Sequence, residues 1–251
     1  MARIQFEFYS KSLLRRFKAS LIIPSLNLQQ SMMNNDEHYY ENRTETFPLM
    51  LLLNGFGDNE QAFLLNTNID ELCETYKVAA LFINGENKRY LNLGGIDNYY
   101  DLIEKDLLDY VYGNFKNLSR NKPLIIGGVS MGGYGSLYHY LTNINKYSAC
   151  FALSPATKLD FIDETKYGTL KDLFLKNKES KLNVYLSIGT NDFIINESRE
   201  FNKFLEENQV GVSYKFVEGY PHAWSLWRIE IIEVFNYFKN LGLIGQNPNN
   251  K

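Results

Sequence analysis

The chain has 251 residues, 45% hydrophobic, 15% aromatic and 22% charged, with a formal net charge of -3 and a mean hydropathy of -0.31. A chain of this length hides roughly 70–75% of the surface it would expose unfolded, which excludes disorder, collagen-like repeats and small disulfide scaffolds. The slightly acidic balance supplies no basic field for nucleic-acid phosphates, and no apolar stretch approaches the roughly 18 residues needed to span a bilayer.

In chain order, Ile4 to Tyr9 and Phe17 to Ile23 read as an antiparallel pair extending one edge of a sheet. Lys11, Arg15, Arg16 and Lys18 interrupt the apolar residues there, unlike the continuous run of a signal peptide. A cytoplasmic protein starting at Met1 is therefore expected. Asn27 to Thr46 is a polar excursion that carries His38. From about residue 48 short apolar runs alternate with segments of helical period. The runs Leu49–Leu53, Val78–Ile83, Leu124–Val129, Tyr147–Leu153, Val184–Ile188 and Val212–Val217 suit strands buried on both faces. Between them, Ile103, Leu107, Tyr110 and Val111 mark one helix, and Phe201, Phe204 and Leu205 another, behind a candidate N-cap at Ser198. The last helix carries Trp227, Ile231, Val234, Phe235 and Phe238. This order predicts an α/β fold with a mostly parallel sheet and helices on both faces. The charged stretch 156–183 falls between two core strands and reads as a short cap-like insertion beside the ligand crevice. Cys73 and Cys150 lack metal-ligand spacing and a charged activator, so both are expected as reduced core thiols.

Gly128-Val129-Ser130-Met131-Gly132 spells G-x-S-x-G at the end of one apolar run and the start of a helix-like run, the strand–turn–helix setting of a nucleophilic serine. Gly128, Gly132, Gly133 and Gly135 omit the Cβ atoms that would collide where strand and helix pack. A serine hydroxyl needs a base to take its proton. His139 lies further along the same helix, which carries it away from the turn, and His38 sits in the polar excursion. His222, in a loop between the last strand and the last helix, remains as the base. Asp192 closes the run Val184–Ile188 and falls between Ser130 and His222 in sequence, so it is the expected acid that fixes the imidazole. Glu197 and Glu218 are the alternatives. The backbone N–H groups of Met131 and of Phe56, in Asn54-Gly55-Phe56-Gly57-Asp58, are the expected oxyanion donors.

These residues resemble the esterase D-like α/β-hydrolases, which include tributyrin-type esterases, S-formylglutathione hydrolases and acetyl and feruloyl esterases. The likeness runs through Phe8-Tyr9-Ser10, Gly128 to Gly135, Leu153-Ser154-Pro155, Gly189 to Phe193, and His222 with Trp224. It is strongest to the short tributyrin esterases of low-GC Gram-positive bacteria. The resemblance implies an α/β-hydrolase fold over residues 1–251 and a cytoplasmic, cofactor-free serine esterase of short acyl groups. Ser130, Asp192 and His222 would form its triad, with Phe56 and Met131 as oxyanion donors. Where that family usually has His-Gly, this chain has Asn54-Gly55, a change in how the oxyanion loop is braced.

The expected activity is a serine carboxylesterase whose partner is a small-molecule ester, without metal, nucleic acid or membrane; a homo-oligomer is compatible with it. Tyr90, Tyr99 and Tyr100, with Phe56, are candidate pocket walls, although aromatic packing is the commoner use of each. An acyltransferase or peptidase would share every triad residue. A catalytically silent binding protein is the reading prompted by Asn54.

Overall fold

The computed structural model describes residues 1–158 and 164–245. Its eight strands are β1 (Ala2–Ser10), β2 (Arg15–Ile23), β3 (Leu49–Leu53), β4 (Ala79–Ile83), β5 (Leu124–Val129), β6 (Ala149–Leu153), β7 (Val184–Gly189) and β8 (Ser213–Val217). They form one sheet in the order β1-β2-β4-β3-β5-β6-β7-β8. The hairpin β1–β2 pairs Phe8 with Phe17 and joins β4 antiparallel; every other neighbouring pair is parallel. This is the mostly parallel sheet that the alternation of runs predicts.

The physical reason is legible strand by strand. Strands β3 to β7 are buried at every position, and β1, at the edge, alternates half-buried or buried residues with exposed ones. On one face Leu49, Leu51, Leu53 and Ile126 pack with Leu137 and Tyr140 of the helix Met131–Thr142. On the other, Met50, Leu52, Ile125 and Phe151 meet Ile231, Phe235 and Phe238 of the helix Trp224–Asn240. Chain direction sets the site. From β3 the chain moves outward to β4, then returns to β5 on the other side of β3. The C-terminal ends of β3 and β5 therefore flank a reversal of strand order, the place where open parallel sheets leave a crevice.

Two expectations change, and a third is described only in part. The polar excursion holds two short helices, Leu28–Met33 and Tyr39–Asn42, with His38 exposed and 3.3 Å from Glu41. Ser198 does not cap its helix, which begins earlier, at Ile195, and buries Ser198 inside it. The cap-like insertion 156–183 falls partly outside the described residues, at 159–163, and its described part holds packed residues. Its helix Leu170–Lys176 buries Leu170 and Phe174, with the Phe174 ring 5.8 Å from that of Phe201.

Candidate active site

Ser130 stands between β5 and the helix that begins at Met131, with φ 53° and ψ -115°. A left-handed φ on a non-glycine residue is costly and persists only where surroundings enforce it. Here the Ser130 N–H donates to the Leu153 carbonyl at 2.9 Å, and its own carbonyl accepts from Tyr134 N–H at 3.1 Å and Ala156 N–H at 3.2 Å. The turn also depends on a close approach. A Cβ on Gly132 would lie 2.1 Å from the Leu53 carbonyl oxygen and 2.6 Å from that of Asn54, so only glycine lets the helix sit against the end of β3.

Asp192 and His222 arrive from the ends of β7 and β8. Gly189 makes the first turn possible: a Cβ there would fall 1.9 Å from the Tyr220 carbonyl oxygen. The Asn191 N–H then donates to that carbonyl at 3.1 Å, tying the two loops together. Asp192 is 2% exposed. Its Oδ2 and Oδ1 lie 2.8 and 3.0 Å from His222 Nδ1, and Oδ1 also accepts the Ile194 N–H. Across the ring, His222 Nε2 is 2.9 Å from Ser130 Oγ. A carboxylate accepts only, so Nδ1 carries the hydrogen and Nε2 is left as the acceptor for the serine proton. The structure thus brings together Ser130, Asp192 and His222, separated by 92 and 30 positions in sequence.

The fallback acids lie elsewhere. Glu197 Oε1 accepts from Thr157 N–H, Thr157 Oγ and Lys158 N–H, which fastens the start of the insertion, and Glu218 is exposed. Met131 is the first residue of its helix, so its N–H is among those that have no intrahelical acceptor. Phe56, in the loop after β3, has an exposed side chain. Asn54 braces that loop: its buried amide Nδ2 donates to the Gly55 and Asp58 carbonyls, each at 2.8 Å.

The tyrosines expected at the pocket wall are elsewhere. Tyr90 and Tyr99 are fully buried. The phenol of Tyr90 reaches Asn54, and that of Tyr99 accepts from Arg15. Tyr100 is half-buried, stacks on His139 at 4.6 Å and bonds Asn143. Burial raises the phenol pKa of Tyr90 and of Tyr99 far above the ordinary range. Instead, the aromatic neighbours of His222 are Phe193, 79% exposed with its ring 4.6 Å away, and Trp227, set edge-on at 5.1 Å. Trp227 read as core, and Phe193 stood out only as the last residue of the family-like stretch Gly189 to Phe193, with no role attached. Among the described residues no group of three His, Cys, Asp or Glu could hold a metal ion, and no helix is long and apolar enough to cross a membrane.

The esterase family model, described as "Putative esterase", matches residues 29–238. An acetyl esterase of Caldicellulosiruptor saccharolyticus is 25% identical over 271 aligned positions, covering 96% of this chain and 99% of its own. Two solved Staphylococcus aureus structures share the fold. One is FphF, a fluorophosphonate-binding serine hydrolase, with TM-score 0.79 and 23% identity over 94% of this chain and 97% of its own. The other is the S-formylglutathione hydrolase FrmB, with TM-score 0.77 and 22% identity over 94% and 98%. With the family model spanning most of its length, this α/β-hydrolase chain belongs to the esterase family and is a carboxylesterase.

Proposed function

We propose that the enzyme hydrolyses short-chain acyl esters, of the acetyl and tributyrin type, through Ser130, His222 and Asp192. The observation that carries the reading is the unbroken line from the buried Asp192 carboxylate through both His222 nitrogens to Ser130 Oγ. Ser130 Oγ bonds to the ester carbonyl carbon as its proton passes to His222 Nε2, and the carbonyl electron pair moves onto oxygen. The N–H groups of Met131 and Phe56 receive that oxyanion. Collapse breaks the bond to the alcohol, which leaves with the proton from Nε2. Water then repeats the sequence on the acyl-serine, releasing the acid and restoring Ser130. The acetyl esterase relative, alike over nearly its whole length, supports a small acyl group. Two free, buried thiols, Cys73 and Cys150, suit a reducing compartment such as the cytoplasm.

The test is turnover of p-nitrophenyl esters of increasing acyl length, with S-formylglutathione, a feruloyl ester and an acetylated sugar alongside. We expect acetate and butyrate to be preferred and Ser130→Ala to abolish hydrolysis. Hydrolysis by Ser130→Ala near the wild-type rate would refute the nucleophile, and a preference for S-formylglutathione or a feruloyl ester would move the substrate class.

A further inference from the structure

Behind the loop that follows β3 lies a second loop whose side chains hold it. The Tyr90 hydroxyl donates towards both the main-chain carbonyl and the Oδ1 of Asn54, each at 2.9 Å. The same Oδ1 accepts the Gly85 N–H at 3.1 Å. Asn87 Oδ1 accepts the N–H of Gly57 at 2.8 Å, on the far side of Phe56. Residues 85–90 therefore grip the Phe56 peptide from both flanks.

The gripping loop is itself unusual. Glu86, Asn87, Arg89 and Tyr90 all have positive φ, at 44°, 59°, 57° and 62°. Such a cluster needs strong external restraint, and Tyr90 receives it twice. Its ring is wedged between Gly85 and Gly135, where added Cβ atoms would fall 2.4 and 2.5 Å from ring carbons. Its carbonyl lies 2.9 Å from Nε2 of the fully buried His139. A carbonyl only accepts, so that nitrogen carries a hydrogen. The other ring nitrogen of His139 faces Glu104 Oε1 at 2.5 Å, and Glu104 also accepts from Lys146 Nζ and Tyr147 OH, both at 2.6 Å. A hydrogen-bonded line thus runs from Glu104 through His139 and Tyr90 to Asn54 and the Gly55 carbonyl.

We infer that Tyr90, anchored by the His139–Glu104 pair, is a positioning residue that holds the oxyanion loop through Asn54. It touches no substrate; it acts by fixing the Phe56 N–H where charge develops. The inference rests on the Ser130 mechanism proposed above.

Tyr90→Phe is the sharp test, because it keeps the wedged ring and the carbonyl and removes one hydroxyl. With p-nitrophenyl acetate, and rates expressed per titrated active site, kcat should fall about tenfold while KM stays within about twofold. That is less than the 10²–10³ typical of deleting an oxyanion donor outright. The comparison is Tyr185→Phe, which removes another buried hydroxyl, bonded to Glu230 at 2.7 Å; it should lower Tm and leave kcat unchanged. Unchanged kcat in Tyr90→Phe, or a raised KM at constant kcat, overturns the inference. Should Tyr90→Phe not fold, Asn54→Asp retains Oδ1 but sets a second oxygen against the Gly55 and Asp58 carbonyls, and the same kcat loss is expected; wild-type kcat there also overturns it. Ser130→Ala separates the two levels: if it hydrolyses like wild type the mechanism fails, whatever Tyr90→Phe does.

Discussion

Replacing Gly132 with alanine tests the contact that sets the nucleophile turn against β3. The new methyl would sit 2.1 Å from the Leu53 carbonyl oxygen, where ordinary contact begins at 3.4 Å, with the Leu53 carbonyl carbon and Asn54 oxygen both at 2.6 Å. All three obstacles are backbone, so no rotamer change relieves them. The helix and the end of β3 must part by more than about 1 Å. Overpacking of this kind costs about 1–3 kcal/mol, and each kcal/mol lowers Tm by about 2–4 °C for a chain of this size. The functional loss should be larger in proportion, because the Met131 N–H rides on the helix while the Phe56 N–H rides on the β3 loop. Separating reacting groups by about 1 Å can cost about 10² in rate. The assay is kcat/KM with p-nitrophenyl acetate beside a thermal melt. Gly113→Ala, at a helical position with nothing within 4 Å of the added methyl, serves as the comparison and should leave activity unchanged while Tm holds or rises by a few degrees. Gly132→Ala retaining activity within twofold and an unchanged Tm would refute the claim that this contact sets the geometry.

Asp192→Asn should lower kcat by about 10³–10⁴, since an amide facing Nδ1 favours the wrong imidazole tautomer. Glu197→Gln should cost far less; the reverse ranking in ester hydrolysis would displace Asp192 as the acid. Glu104 predicts a stability effect. Burial raises its carboxyl pKa, but the hydrogen bond and charge of His139, with Lys146 and Tyr147, outweigh that and leave it below the ordinary 4.5. A depressed folded value means stabilisation that is fully present above 4.5 and lost as pH falls through the folded value. Urea unfolding from neutral pH down to about 3.5 should show wild-type stability falling in that acid limb, and Glu104→Gln less stable at neutral pH with a shallower fall. Parallel slopes would contradict the assignment.

The sheet was legible because its central strands are buried on both faces and so read as unbroken apolar runs such as Leu49–Leu53 and Leu124–Val129. That Ser130, Asp192 and His222 would come together was legible for a related reason: each lies within a few residues of the C-terminal end of a strand, at the same edge of the sheet. Side-chain direction was not legible. An aromatic such as Tyr90 satisfies a pocket wall and a buried strut equally well in sequence, and only its hydroxyl partner on Asn54 distinguishes them. His139 and Glu104 were invisible as a pair for a different reason. Glu104 and His139 stand 35 positions apart on separate helical segments, and no periodicity within either segment reports that the two meet. Asn54 was noticed only as a departure, and the structure supplies its role as a four-way brace.

The sheet order also governs when the chain can become active. Ser130, Asp192 and His222 hang from β5, β7 and β8, and the oxyanion loop from β3, so the constellation exists only when pairing has been completed across all of them. Closing such long loops precedes any reward from the contacts they allow. During synthesis Ser130 emerges well before His222. On the proposed mechanism, a growing chain that has not yet released His222 has no acceptor for the Ser130 proton, so ester hydrolysis would wait until the final strand and helix have docked.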